Sequence, residues 1–77
     1  MNKVRRKNLQ STVDKLEELM ADVEAIQEEE EEYRDNIPEN MQNGERYEQA
    51  EFACDALSEA TDSISAAIDS INEAMGE

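Results

Sequence analysis

A seven-residue repeat in the second half of the chain decides the fold. Read in sevens from Ala53 to Met75, the sequence is ACDALSE, ATDSISA, AIDSINE and AM. Three kinds of residue recur at this spacing: Ala53, Ala60, Ala67 and Ala74; Asp55, Asp62 and Asp69; and Leu57, Ile64 and Ile71. A heptad sustained over about three repeats predicts a helix that makes a left-handed coiled-coil contact. We expect the alanine row to let a facing helix approach closely and the aspartate row to face water.

The first half of the chain predicts a second helix, which supplies the facing surface. Its apolar residues form two rows, Leu9, Val13, Leu16, Met20 and Val23 with alternating spacing, and Thr12, Leu19, Ile26 and Tyr33 seven residues apart. Together the rows predict one apolar stripe on a helix. Beyond this stripe, Glu28 to Glu32 is an unbroken run of glutamate. Like charges at i,i+4 repel, so we expect this end of the helix to fray.

A group of helix breakers separates the two segments. The stretch from Asp35 to Gly44 contains Pro38, the only proline of the chain. Proline costs about 3 kcal/mol inside a helix and disfavours helix at the residue before it, and Asn43 is the expected N-cap of the next helix. Two long segments with a short break predict a single all-α domain over residues 1–77. We expect an antiparallel hairpin with helices at about 3–35 and 45–75 and a loop at about 36–44.

Folding the chain near residue 40 predicts the register of the hairpin. The expected neighbours are Leu9 and Ile71, Leu16 and Ile64, Val23 and Leu57, and Ile26 and Cys54. The same register brings four basic residues, Lys3, Arg5, Arg6 and Lys7, to the end of the second helix. Cations are favourable at the C-terminal end of a helix, and we expect them to pair there with Asp69, Glu73 and Glu77.

A two-helix hairpin buries only one side of each helix, which predicts that it binds another protein or itself. About a dozen large aliphatic residues serve the whole chain, and a core of that size is marginal at this length. We expect self-association into a helical bundle, most simply as a homodimer. The residues expected to mediate it are Phe52, Leu57, Ile64, Ile68 and Ile71. Phe52 lies off the main apolar row and is alternatively an anchor for a target protein.

The composition excludes several classes of function. With 21 acidic residues, 7 basic residues and no histidine, the net charge is −14. Acid–base catalysis needs two carboxylates in a shared cleft, which a hairpin does not offer. A chain without histidine and with one cysteine lacks a zinc ligand set, and no calcium-loop spacing occurs. We therefore expect a protein that is not an enzyme, with no metal and no cofactor, and we expect Cys54 to be a buried structural thiol.

The expected location is the cytoplasm. A single cysteine cannot form an intramolecular disulfide, so no oxidising compartment is implied. No stretch approaches the ~18 apolar residues of a membrane span, and no apolar stretch follows the basic Met1–Lys7 segment as it would in a secretory signal. No membrane partner is expected.

The acidity predicts the chemistry of a partner. A strongly negative chain disfavours direct binding to nucleic acid and favours a protein with a basic surface. Spread along a hairpin of ~50 Å, the charge amounts to about one per 3.5 Å, close to the ~3.4 Å spacing on one DNA strand. This density is that of a DNA mimic that occupies a basic nucleic-acid channel. The residues expected to contact the target are Glu28, Glu29, Glu30, Glu31, Glu32, Asp55, Asp62 and Asp69. The alternative is that acidity only keeps a small helical protein soluble.

The segment between the helices resembles that of a known group of proteins. The sequence DNIPENMQ from Asp35 to Gln42, followed by Glu45-Arg46-Tyr47, is similar to the inter-helix segment of short acidic proteins encoded by bacteriophages and mobile elements of Firmicutes. The opening MNKVRRK and the Ala/Asp/Ile helix are similar too. The resemblance implies a mobile-element protein that acts on host machinery, and it supplies no catalytic residues. The function expected is inhibition, of the anti-CRISPR or anti-defence type, of a basic nucleic-acid-handling host protein such as a nuclease. The rival expectation is a structural or adaptor hairpin that binds through its apolar heptad rows.

Overall fold

Two long helices joined by a short loop make up the computed structural model, which describes residues 1–76. Helix α1 is Lys3–Asp35 and helix α2 is Glu45–Ala74, with one 3-10 turn at Glu39–Met41 between them. The two helices pack against each other along a rod whose Cα atoms extend over 59 × 15 × 14 Å. The predicted all-α helical hairpin is therefore confirmed.

The ends of α1 are set by local hydrogen bonds. Asn2 caps its N-terminus, where the side-chain Oδ1 accepts a 2.8 Å hydrogen bond from the Arg5 N–H. At the other end α1 continues through the five glutamates to Asp35, past the point at which we expected fraying. The Asn36 N–H still donates to the Glu32 carbonyl at 3.0 Å. Ile37, which is buried, anchors the chain directly after this turn.

Helix α2 begins after Gly44. The prediction that Asn43 is its N-cap is wrong, because Gly44 holds that position with extended backbone and no capping side chain. The Gly44 N–H donates to the Met41 carbonyl at 3.1 Å, so the loop is already turned before the helix starts. Glu45 and Glu48 lie in the first turn of α2, where negative charge is favourable for the helix dipole.

Two contacts at opposite ends of the rod establish the register. Near the termini the Arg6 Nε donates a 2.9 Å hydrogen bond to the Met75 carbonyl. Near the loop the Arg46 Nε donates to the Tyr33 hydroxyl at 3.0 Å. Residues whose numbers total about 80 therefore face each other across an antiparallel pair of helices.

The core lies along the contact between the helices, which we call the seam. Val13, Ile68 and Met75 form its buried cluster. Partly buried side chains from both helices pack against this cluster: Leu9, Leu16, Met20, Ile64 and Ile71. Toward the loop the seam becomes more polar, because half-buried Gln27, Glu30 and Arg34 take the apolar positions of α1.

The alanine row does not lie in the seam. The seam of α2 consists of Ala50, Leu57, Ile64 and Ile71 together with Tyr47, Cys54, Thr61, Ile68 and Met75, all of them buried or half-buried. Ala53 and Ala60 are half-buried at its edge, while Ala67 and Ala74 are exposed. The predicted close approach at the alanines is therefore wrong. The alanine row and the row of Cys54, Thr61, Ile68 and Met75 each alternate with Leu57, Ile64 and Ile71 at spacings of three and four residues. The second row packs against α1 because Ile68 and Met75 bury more apolar area than Ala67 and Ala74 would.

Two further expectations change with the seam. Ile26 was expected near Cys54, but it remains 55% exposed at the side of the seam. Of the residues expected to mediate self-association, Ile68 is buried and Leu57, Ile64 and Ile71 are half-buried within the hairpin itself. Only Phe52 of that set is exposed. The four aliphatic residues pack inside the hairpin because α1 supplies a full apolar row opposite them.

Candidate functional site

One side of the hairpin carries most of the negative charge. We call it the acidic face and define it, on each helix, by the heptad row beside the seam on this side and the next row outward. Its carboxylates are Asp14, Glu17, Glu24, Glu28, Glu31 and Asp35 of α1 and Glu48, Glu51, Asp55, Asp62 and Asp69 of α2. Gln10, Glu17 and Asn72 line one surface depression together, which shows that these rows of the two helices adjoin. Within residues 8–76 these rows contain no lysine or arginine.

The acidic face is largely unpaired. Among residues 1–76 the only ion pair joins Arg34 and Asp35, at 3.1 Å. Asp55, Asp62 and Asp69 are exposed and point away from the seam, as the sequence predicts. Unpaired, solvated carboxylates in a row attract any cationic surface that matches their spacing.

The five consecutive glutamates do not act as one patch. Each residue turns the helix by about 100°, so the run wraps around α1. Glu28 and Glu31 lie on the acidic face, Glu30 is half-buried in the seam row, and Glu29 and Glu32 are exposed elsewhere. Only two of the five thus join Asp55, Asp62 and Asp69.

Several acidic-face residues were missed from the sequence. Glu17, Glu24, Glu48 and Glu51 belong to this face as clearly as Asp55 does. For Glu17 and Glu24 the signal was their seven-residue spacing with Glu31, and for Glu48 and Glu51 it was their positions seven and four residues before Asp55. These spacings identify the face only once the seam of α2 is known, because the seam determines which heptad rows of the two helices adjoin.

On the opposite side of the hairpin the rows beside the seam carry no carboxylate. We call this side the apolar face and define it by Thr12, Leu19, Ile26 and Tyr33 of α1 and by Ala53, Ala60, Ala67 and Ala74 of α2. Leu19 and Ile26 are 54% and 55% exposed. The loop end of this face is closed by Arg46, whose guanidinium carbon lies 5.6 Å from the centre of the Tyr33 ring. That contact shows that the two rows adjoin, as the corresponding rows do on the acidic face.

Phe52 belongs to neither row of the apolar face. At 76% it is the most exposed of the large apolar side chains. One turn of α2 separates it from Glu48 on one side and from Asp55 on the other, so it borders the acidic face. An exposed aromatic ring beside carboxylates is a suitable anchor for a partner's apolar or cationic side chain.

The basic N-terminal segment contacts the end of α2 differently from the prediction. Arg6 donates to the Met75 carbonyl rather than to a carboxylate, and it forms no ion pair with Asp69 or Glu73. Carbonyls at a helix C-terminus lack helical partners and carry partial negative charge, which suits the guanidinium. The expected pairing with Glu77 lies outside the described residues.

Cys54 is a buried free thiol in the seam. Burial raises its pKa, the charge of Arg34 acts in the opposite direction, and Glu31, Glu30 and Asp55 raise it further. A thiol whose pKa is raised in this way stays protonated and is a weak nucleophile.

The loop end contains a separate concavity. Its volume is about 470 Å³, and its lining residues are Ile37, Asn40, Met41, Asn43, Gly44, Glu45 and Arg46. The concavity is open to solvent and its accessible lining is mostly apolar, so it offers few polar groups to orient a ligand.

No group of three or more histidine, cysteine, aspartate or glutamate residues within residues 1–76 is arranged to hold a metal ion. Neither α1 nor α2 is long and apolar enough to cross a membrane. No protein-family model, curated protein or solved structure matches the chain. What the molecule does is therefore inferred from its two faces.

Proposed function

We propose that the protein is a non-catalytic binding module that occupies the basic, nucleic-acid-binding surface of another protein. The observation that supports this is the acidic face, with eleven carboxylates on one side of the rod. They lie between residues 14 and 35 of α1 and the facing part of α2, over about 32 Å of helix. This is about one charge per 3 Å, near the ~3.4 Å spacing of phosphates along one DNA strand.

Rigidity supports the same function. The acidic rows are on two helices packed against each other, so the carboxylates keep fixed spacings: Asp55, Asp62 and Asp69 are about 10.5 Å apart along α2. A fixed array loses less conformational entropy on binding than a flexible acidic tail does. The target thus presents lysine and arginine side chains along a channel or groove, as nucleases and other nucleic-acid-handling proteins do.

The resemblance of the loop and N-terminal segment to mobile-element proteins adds a biological setting. In this setting the protein is an inhibitor carried by a phage or mobile element, and its target is a host defence protein in the cytoplasm. The inhibitor competes with DNA or RNA for the basic surface.

Capture of the partner tests the proposal. Immobilised full-length protein is incubated with lysate of a Firmicutes host at low and at high salt, and bound proteins are identified by mass spectrometry. We expect to capture a basic nucleic-acid-binding protein that is released by high salt. Adding the hairpin should displace a labelled DNA duplex from this protein. The triple variant Asp55→Lys, Asp62→Lys, Asp69→Lys should keep its helical circular dichroism and lose this partner. Binding that survives the triple reversal would show electrostatic mimicry to be wrong.

A second candidate is an adaptor that binds its partner through apolar contacts, favoured by the exposure of Phe52. It predicts a salt-resistant partner whose binding is lost in Phe52→Ala and kept in the triple variant. The same capture experiment therefore separates the two functions.

A further inference from the structure

We propose that the apolar face is covered by a second copy of this chain. The proposal concerns a different side of the rod from the acidic face and does not depend on the identity of any partner. Leu19 and Ile26 project from α1 with more than half of each side chain exposed. The register places Ala60 beside Leu19 and Ala53 beside Ile26. The hairpin therefore presents an apolar strip that its own two helices cannot cover.

Charge identifies a second copy as the occupant. Each copy carries −14, so two copies repel wherever their acidic faces meet. The defining rows of the apolar face contain no acidic residue, and the charges at their border are mixed: Lys15 and Arg46 against Asp22 and Glu29. The apolar face is thus the one long surface on which another copy approaches without facing a row of like charges.

The sizes of the side chains favour one arrangement of the two copies. The large residues of this face are on α1, whereas α2 presents small, uncharged ones: Ala53, Ala56, Ala60, Ser63, Ala67 and Ser70. A twofold axis parallel to the helices places α1 of each copy on α2 of the other, so Leu19 and Ile26 pack over alanines. All neighbouring helices are then antiparallel, as in a four-helix bundle. The perpendicular axis would instead bring Asp22 of one copy against Asp22 of the other.

The area of the face is sufficient for a stable dimer. Between Thr12 and Tyr33 it is about 32 Å long, and two helices side by side are about 18 Å wide. Each copy then buries about 600 Å², or about 1,200 Å² in total, which reaches the lower limit of specific interfaces. The hairpin alone buries few apolar side chains, the largest fully buried one being Val13. Covering Leu19 and Ile26 extends this small core on the side that bears no acidic row.

Sedimentation equilibrium of the full chain tests the proposal. We expect a dimer of twice the 8.8 kDa chain mass at micromolar concentration, still present in 0.5 M NaCl. Ile26→Glu should weaken the dimer at least tenfold, because it buries a carboxylate in the interface. Val4→Glu is the matched control, since it makes the same change of charge at a more exposed position of the same helix, outside the span from Thr12 to Tyr33, and it should leave the dimer intact. Circular dichroism checks that both variants stay helical, and Leu19→Gln with Ile26→Gln repeats the test without added charge.

A wild-type chain that remains monomeric at 0.5 mM would overturn the proposal. So would equal weakening of the dimer by Ile26→Glu and Val4→Glu, or a dimer unaffected by both Ile26→Glu and the double glutamine variant. The orientation has its own readout: spin labels on Asn40→Cys in a Cys54→Ala background. The parallel-axis dimer places the two labels at the same end of the bundle. A label distance near the 59 Å length of the rod would exclude that arrangement.

Discussion

The acidic face and the apolar face are built from the same two helices, yet they differ in almost every physical property. On the acidic face the rows beside the seam and the next rows outward bear eleven carboxylates, whereas the corresponding rows on the apolar side bear two, Asp22 and Glu29, and none beside the seam. The two sides differ because residues seven apart lie on the same side of a helix, so a residue type that recurs in the heptad stays on one side. Net charge alone therefore describes this molecule poorly, since a uniform acidic rod and a two-faced one have the same −14.

The difference also separates two kinds of contact that would otherwise compete. A salt-sensitive surface suits a partner that exchanges with nucleic acid, and an uncharged surface suits association between like-charged copies. Placing them on opposite sides lets both contacts exist at once.

Loss of the seam should have the largest effect, because both faces depend on it. Val13 is 2% exposed and Val4 is 68% exposed, and both are on α1. Val13→Asp buries an unpaired carboxylate and should lower the free energy of unfolding by about 3 kcal/mol or more. Val4→Asp should change it by less than about 0.5 kcal/mol. Urea denaturation followed by circular dichroism measures both, and similar midpoints for the two variants would contradict the described core.

Neutralising pairs of carboxylates tests whether position matters beyond net charge. Asp55→Asn with Asp62→Asn removes two charges from the acidic face, and Asp22→Asn with Glu29→Gln removes two from the border of the apolar face. The net charge is the same in both variants. We expect the first pair to weaken binding of a deca-arginine peptide about fivefold, or ~1 kcal/mol. The second pair should have a clearly smaller effect by isothermal titration calorimetry at low salt, and equal losses would mean that only the total charge acts.

The pH dependence of stability should report the burial of Cys54 in the seam. Burial raises the pKa of this thiol in the folded state, so above the ordinary thiol pKa the unfolded chain releases its proton first. The free energy of unfolding should therefore fall as the pH rises from about 8 toward 10. Cys54→Ala removes this contribution, and its stability should decline less over the same range in thermal melts. Identical slopes for the two proteins would place the thiol in solvent.

A smaller effect is expected at the contact that closes the apolar face. Tyr33→Phe keeps the ring under Arg46 and removes the hydroxyl that accepts from its Nε. Since the pair is exposed, stability should fall by no more than about 1 kcal/mol. Tyr33→Ala removes ring and hydroxyl together and should cost more in the same denaturation experiment. If Tyr33→Phe is as damaging as Tyr33→Ala, the ring makes no contribution of its own.

The sequence was sufficient to predict the hairpin but not its faces. The breakers around Pro38 and the two long periodic segments predict two packed helices, and the structure has them. The side of α2 that packs was not predictable from spacing alone. Ala53, Ala60 and Ala67 fit the heptad beside Leu57 as well as Cys54, Thr61 and Ile68 do, and the choice depends on how much area each row buries against α1.

That one ambiguity accounts for most of the misplaced residues. Once the seam runs through Ile68 and Met75, the alanines and Ile26 move to an open face, and Glu17 and Glu24 join Asp55 on the other. The Glu28–Glu32 run is divided among several sides of α1 for a different reason. Consecutive residues of a helix point in different directions, so a charge run in sequence is not a patch in space.

The most direct test of the two-faced hairpin is an amide NMR titration of the full chain with the deca-arginine peptide at low salt. Shift changes should concentrate at Glu17, Glu24, Asp55 and Asp62 and their neighbours on the acidic face, and they should disappear in 0.5 M NaCl. Amides of Leu19, Ile26, Ala60 and Ala67 should change little. Changes of equal size on both faces would show that the charge is not segregated and would contradict the account.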